Sequence, residues 1–373
     1  MIYQLFQGKQ ISALGMGCLR LPMQEGTTDR IDRAKAQEVI DAAFEGGINY
    51  FDTAYTYQNG DSETFLGEAL AKYPRERYYL ATKFSVLPGK EIKEVFEEQL
   101  RRCRTDYFDF YLLHNVDENC IEEYMSAEKN YLGYLLEQKK AGRIRYLGFS
   151  SHAEPRTLRR FLDWYDQFDM ALIQLNYLDW TLLNAKEQYE ILTERNIPIW
   201  VMEPLKGGRL AVLNQEAEKI LKEAVPEDSA ASWGFRFLMG LPNVKTILSG
   251  MSSLEQMQDN LQTFANLTPL NEEEQKVLKK AADVFMEKLG VPCSECRYCC
   301  EVCPAELEIP LLIRSYNEMR ISNSAWRIGS LQYAKAPEEC MQCESCLKYC
   351  PQKINIPEVL KEFAKMRKDK CRK

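Results

Sequence analysis

The phrase C-x2-C-x2-C-x3-C-P occurs twice in the last quarter of the chain, as Cys293, Cys296, Cys299, Cys303, Pro304 and as Cys340, Cys343, Cys346, Cys350, Pro351. Thiolates at every third residue make a loop curl around one cubane and offer it three corners. The fourth cysteine, ahead of proline, points elsewhere and in two-cluster proteins ligates the other cluster. The spacing therefore predicts two four-iron, four-sulfur clusters. One is expected on Cys293, Cys296, Cys299 and Cys350, the other on Cys340, Cys343, Cys346 and Cys303, the crossing tying the halves together. Zinc sites use cysteine pairs instead, and a disulfide framework calls for an export segment that MIYQLFQGKQ does not resemble. Cys300 stands outside the register and reads as a spare thiol; Cys18, Cys103, Cys120 and Cys371 read as ordinary packed or surface thiols.

Ahead of this module the chain is long enough for one large domain, near the roughly 250 residues of a (β/α)8 barrel. Short apolar runs alternate with amphipathic stretches, the pattern of repeated βα units around a parallel sheet. Strands are expected at Leu14–Gly17, Asn49–Asp52, Tyr79–Thr82, Phe108–Leu113, Ile144–Gly148, Leu172–Gln174, Ile197–Val201 and Lys245–Leu248, and helices among others at Arg33–Glu45, Glu91–Arg102, Glu128–Ala141 and Leu254–Phe264. Eight strands separated by helices point to a closed α/β TIM barrel. A further helix is expected from Asn271 to Leu289, ending at Gly290 and Pro292. The domains are accordingly drawn as 1–285 for the barrel and 286–373 for a small iron-sulfur module. Residues 304–339 are too long a separation for two short hairpins, so that module is expected to be mostly helical.

A net charge of −7 and the absence of a long apolar run give no support for a nucleic-acid or membrane partner. Thirteen cysteines, eight of them in iron-sulfur spacing, place the chain in a reducing cytoplasm. The basic stretch Lys361–Lys373 reads as a solvated helix end.

Barrel chemistry sits at the C-terminal ends of the strands. The second expected strand ends in FDTAYTYQNG, offering Asp52 and Tyr57; the third ends at Lys83; the fourth ends at His114. This constellation resembles the aldo/keto reductase superfamily, whose barrel enzymes reduce carbonyls with a nicotinamide cofactor. The resemblance covers roughly residues 1–270. It implies that Tyr57 is the proton donor, that Lys83 lowers its pKa, that Asp52 pairs with Lys83 and that His114 orients the substrate carbonyl. It also implies that Ser150, Ser151 and Gln174 hold the nicotinamide carboxamide and that Met202 stands where an aromatic commonly stacks on the ring. Lys206 and Gly207, with Gly208, would line the pyrophosphate. Gly250, Ser252, Gln256 and Asn260 would meet the adenosine phosphate, with NADP or NAD left open because the usual arginine is missing from that motif. His152 shapes the pocket.

Hydride carries two electrons and a cluster one, so exchange between the halves would require a converter such as flavin. The favoured reading is a nicotinamide-dependent carbonyl/alcohol oxidoreductase acting on a small molecule, with the clusters structural or redox-linked. One alternative is an electron-transfer reductase whose clusters feed a barrel-bound cofactor such as flavin from an electron-transfer protein. Another is a redox-sensing binding protein.

Overall fold

The computed structural model describes residues 1–27, 29–86, 88–288, 290–322 and 334–371. A two-stranded antiparallel hairpin, β1 (Tyr3–Phe6) and β2 (Lys9–Ser12), precedes eight strands: β3 (Leu14–Gly17), β4 (Tyr50–Asp52), β5 (Tyr79–Phe84), β6 (Phe108–Val116), β7 (Ile144–Ser151), β8 (Met170–Gln174), β9 (Ile199–Met202) and β10 (Val244–Ser249). These eight pair in parallel in chain order, and β10 closes on both β9 and β3 to complete the barrel. The expected helices are found at Arg33–Glu45, Ile92–Arg102, Tyr131–Lys140 and Leu254–Ala265.

The opening hairpin was not expected from the sequence, because its strands are only four residues long. Its turn is Gln7-Gly8, both at positive φ (44° and 75°), the backbone that a tight hairpin needs and that glycine adopts without strain. The hairpin carries Phe6 into the aromatic floor of the barrel, with ring centroids 5.0 Å from Trp200 and Tyr146 and 5.7 Å from Phe110. Ile11, Tyr50, Ala81, Phe110, Leu112, Met170, Leu172, Trp200 and Leu248 are the other buried members of that cluster.

The chain divides into two compact units. The first comprises Met1–Pro204 and Ala231–Glu272, and the second Leu205–Ala230 and Glu273–Lys373. The second unit thus takes in a segment following β9 as well as the helix Glu272–Lys288, whereas the sequence placed a single boundary at 285. Leu289, the expected last residue of that helix, lies outside the described residues. The core of the second unit forms between the helices Ile309–Ser322 and Ile356–Cys371, where Leu312, Ile313, Tyr316, Leu360 and Phe363 are buried with Cys299, Cys346 and Cys350. The expected helical character is seen here. The basic tail belongs to the second of these helices up to Cys371, with residues 372–373 outside the described ones.

Among the described residues no helix is long and apolar enough to cross a membrane.

Candidate functional site

Side chains along a strand alternate between the two faces of the sheet, so the interior residues of the barrel mark which residues lie above them. Two residues beyond Tyr50, Ala81, Leu112, Leu172 and Trp200 come Asp52, Lys83, His114, Gln174 and Met202. The interior face at the C-terminal end of the barrel therefore carries five of the expected site residues, staggered from strand to strand, since Asp52 pairs with Ala81 and Lys83 with Leu112. Ser150 joins it from β7, two residues beyond Gly148, whose added Cβ would lie 2.3 Å from the Met170 sulfur.

Lys83 is the centre of the site. It is 1% exposed, and its Nζ donates to Asp52 Oδ1 at 2.5 Å, to the Thr53 carbonyl at 2.6 Å and to the Tyr57 hydroxyl at 3.4 Å. Tyr57 arrives from a short turn after β4 in which Gln58 and Asn59 take positive φ, and its ring meets that of His114 edge-on at 5.8 Å. The four tetrad residues are thus brought together.

Their charges differ from the simplest expectation. Burial pushes the Asp52 carboxyl up, while the Lys83 ammonium and its hydrogen bond pull it back. Part of the Tyr57 ring reaches solvent, yet burial raises its phenol well above the ordinary value, with the Asp52, Cys18 and Glu203 charges adding to this. The lowering effect expected of Lys83 is opposed here, because Asp52 neutralises that ammonium at closer range. Burial, then the Lys83 and His152 charges, push His114 well below its ordinary value, so it is a neutral imidazole at pH 7.

A supporting network escaped the sequence reading. Glu63, fully buried, accepts from Thr82 Oγ1 at 2.6 Å, Gln99 Nε2 at 2.7 Å and Arg102 Nη1 at 3.1 Å, and Gln99 Nε2 also donates to the Lys83 carbonyl at 3.0 Å. This clamps the outer face of β5 behind Lys83. Tyr124 donates to the His114 carbonyl at 2.5 Å and to that of Phe84 at 3.2 Å. Cys18 is buried, its thiol raised by burial and by Asp52.

The residues expected around a nicotinamide are all buried or partly so. Ser150 Oγ accepts from the Asn115 amide at 2.8 Å, Ser151 Oγ donates to the Val116 carbonyl at 2.9 Å, and Gln174 Nε2 donates to Asp179 at 2.8 Å. Asn115, at a φ of 58° where β6 slips register, keeps its buried Oδ1 without a hydrogen-bond partner among the described residues. An amide donor such as a carboxamide would satisfy it. Further round, Ser252 Oγ donates to the Arg20 carbonyl at 2.6 Å, the Ser252 amide donates to Gln256 Oε1 at 2.8 Å, and Asn260 Nδ2 reaches Ser249 Oγ at 3.0 Å. Gly250 packs against the Arg20 side chain, where an added Cβ would lie 3.1 Å from Arg20 Cβ. An arginine does stand beside this motif, then, contributed from the distant end of the chain. Lys206 and Gly207 belong to the second unit, where Lys206 is fully buried and donates to Gln352 at 2.5 Å.

In the second unit two cavities divide the cysteines. Cys293, Cys296, Cys299 and Cys350 line one, with an empty volume of about 280 Å³; Cys303, Cys340, Cys343 and Cys346 line the other, at about 330 Å³. Each draws three thiols from one phrase and the fourth from the other, and Cys300 lines neither. The loops repeat one backbone: Glu295, Arg297 and Glu306 have positive φ in the first phrase, and Gln342, Glu344 and Lys353 in the second. Such non-glycine positions cost energy and persist where surroundings over-determine them. The Glu295 amide points to Cys293 Sγ at 3.4 Å and the Leu307 amide to Cys303 Sγ at 3.5 Å.

With this geometry in view, comparison with known proteins is direct. The Aldo/keto reductase family matches residues 13–283, and the chain belongs to that family of oxidoreductases. A 4Fe-4S dicluster domain matches residues 292–356. The chain is similar to the uncharacterized oxidoreductase YqkF of Bacillus subtilis (strain 168), with 30% identity over 300 residues, 72% of this chain and 92% of that protein. It is also similar to the NADH-specific methylglyoxal reductase of Escherichia coli (strain K12), at 26% over 220 residues, 54% of this chain and 65% of that protein. Among solved structures, the holo form of aldo-keto reductase AKR11C1 from Bacillus halodurans is 30% identical, superposes with a TM-score of 0.60, and is covered to 93% by 74% of this chain.

Proposed function

We propose that the protein reduces a small carbonyl compound to the alcohol with a nicotinamide dinucleotide, and that its C-terminal module holds two four-iron, four-sulfur clusters. The observation that carries the first part is the contact of Lys83 Nζ with Asp52, Thr53 and Tyr57, whose ring meets that of His114 edge-on. The second part is supported by the two four-thiol cavities. The nicotinamide would supply the hydride, and the clusters would supply one-electron capacity.

The remaining work falls to the chain's own side chains. Tyr57 holds a proton at its hydroxyl and delivers it to the carbonyl oxygen. Lys83, anchored by Asp52, holds that hydroxyl in place and favours the phenolate left behind. His114 is neutral and can donate one hydrogen bond to the same oxygen, fixing the carbonyl's orientation. Ser150, Ser151, Gln174 and Asn115 are assigned to the carboxamide and Met202 to the ring, whose face a polarizable sulfur can contact. Gly250, Ser252, Gln256 and Asn260 are assigned to the adenosine end, and Arg20 supplies the cation missing from that motif.

The name of the Escherichia coli relative suggests methylglyoxal as a probe substrate. Anaerobic protein given NADPH and then methylglyoxal is expected to consume the two in equal amounts while the visible absorbance of the clusters stays constant. Bleaching of the clusters by NADPH alone would instead favour a barrel-bound converter and the electron-transfer alternative. With Arg20→Leu, NADPH binding is expected to weaken about tenfold, the size of one charge-assisted contact, with NADH unaffected. Equal weakening of both would remove Arg20 from the 2′-phosphate.

The crossed assignment has its own test. Cys350→Ser is expected to leave about half the iron of the parent protein and to abolish the same cluster signal as Cys299→Ser, while Cys303→Ser abolishes the other, since the fourth thiolate of each phrase serves its neighbour. Iron analysis and electron paramagnetic resonance read both. If Cys350→Ser and Cys346→Ser removed the same signal, the ligands would be uncrossed.

A further inference from the structure

The segment that follows β9 enters the second unit with three consecutive positive φ values, 47° at Lys206, 66° at Gly207 and 90° at Gly208. The reason for glycine at 207 is close approach: an added Cβ would lie 2.4 Å from the Ser294 carbonyl oxygen. The backbone of this turn therefore rests directly on the residue after Cys293. On the other side, the fully buried Lys206 donates from Nζ to Gln352 Oε1 at 2.5 Å, and Gln352, itself 6% exposed, lines the cavity of Cys293, Cys296, Cys299 and Cys350. The turn thus joins the two loops that build this cavity, one at Ser294 and the other at Gln352.

A second cation accompanies it. Arg209 keeps Nη1 buried with no hydrogen-bond partner among the described residues, and the anionic groups that act on its guanidinium are Cys293 and Glu295. The cation that lines this cavity, Arg297, is already committed to both carboxylate oxygens of Glu308 at 2.8 and 2.9 Å, and Lys353 also acts on Cys350. The lining of the other cavity includes no lysine or arginine among the described residues and carries Glu344, with Cys343 exposed. The two four-thiol sites are therefore alike in ligands and unlike in the charged residues that line them.

We propose that Lys206 and Arg209 serve the cluster of the Cys293, Cys296, Cys299 and Cys350 cavity, raising its reduction potential and setting it apart from its neighbour. The inference rests on the dicluster reading above. Reduction places one more electron on a site already bearing four thiolates, and a fixed cation nearby stabilises that added charge. Burial keeps salt from screening it. The turn also orients a residue, Gln352, that stands two positions beyond the crossing ligand Cys350, the kind of outer contact that tunes a metal centre.

The test is a potentiometric titration of the whole protein with dithionite and mediators, followed by electron paramagnetic resonance, in the parent and in K206M, K206R and R209M. The cluster concerned is identified by its persistence in C303S. In K206M the equilibrium constant for its one-electron reduction is expected to fall at least tenfold, a shift of 59 mV for such a couple, while that of the other cluster changes less than threefold. K206R restores the parental value, and R209M moves the same step in the same direction. If K206M loses iron from this cavity and K206R regains it, the charge is needed to hold the cluster, which supports the assignment. Unchanged potentials in both K206M and R209M at full iron content overturn it, as does iron loss in K206M that K206R does not repair alongside an unmoved R209M. Parent protein reconstituted without the iron and sulfide of two clusters would fail the dicluster reading instead.

Discussion

Tyr57→Phe is expected to cut carbonyl reduction, lowering kcat/KM by at least about a hundredfold, the low end of what a positioned general acid contributes, with dinucleotide binding and cluster content unchanged. The substitution removes one oxygen from a partly exposed ring that keeps its edge contact with His114. The loss is therefore chemical and not structural. Because burial holds the phenol well above its ordinary value, Tyr57 stays protonated through neutral pH. The rate of reduction should accordingly be level there and decline only as alkaline pH begins to remove the proton. Steady-state kinetics across pH with NADPH and methylglyoxal measure both effects. Full turnover in the variant would remove Tyr57 from the acid role.

Lys83→Met should strongly destabilise the barrel. Lys83 and Asp52 are 1% and 3% exposed and their charged atoms lie 2.5 Å apart. Removing the ammonium strands a buried carboxylate, at a cost of about 3–5 kcal/mol. The pair need not be stabilising as a whole for this to hold, since the cost arises from the orphaned charge. In the variant the folded-state pKa of Asp52 lies above its unfolded value, so the native state binds the proton more tightly. The deficit against the parent is then full above the variant's folded pKa and shrinks as pH falls through it toward that of the parent, which burial already raises. Urea unfolding at neutral and acidic pH should show that convergence, and Asp52→Asn in the same chain should recover much of the loss. A deficit independent of pH, unrelieved by the second substitution, would contradict the account.

The tetrad was legible because period-two alternation is a local rule. Once the strand ends are placed, Asp52, Lys83 and His114 must lie on the interior face, and Tyr57 needs only a five-residue reach from Asp52. The helices around the barrel were legible for the same reason, at their own period. The four-residue strands of the opening hairpin were not, since a run that short carries almost no periodic signal. Phe6 matters only through aromatic rings from strands far along the chain.

The supporting side chains show the limit more sharply. Glu63, Gln99 and Arg102 look like polar residues on exposed helix faces, and nothing near them in the chain announces that they meet behind Lys83. Arg20 is absent from the motif around Ser252 by every local criterion, yet lies against Gly250 because β10 closes the barrel beside β3. Two glycines after Lys206 suggest a phosphate turn, and nothing local announces that the folded chain buries Lys206 against Gln352.

The cysteine phrases, the alternation of strand and helix, and the residues at the strand ends could all be taken from the chain as written, because each depends on spacing over a few residues, where backbone geometry alone fixes what can meet. The destination of Lys206, the arginine beside Ser252 and the clamp on β5 required the folded molecule. Each joins positions from tens of residues to more than two hundred apart, and only closure of the barrel and packing of the cysteine loops determine which buried polar groups must satisfy one another.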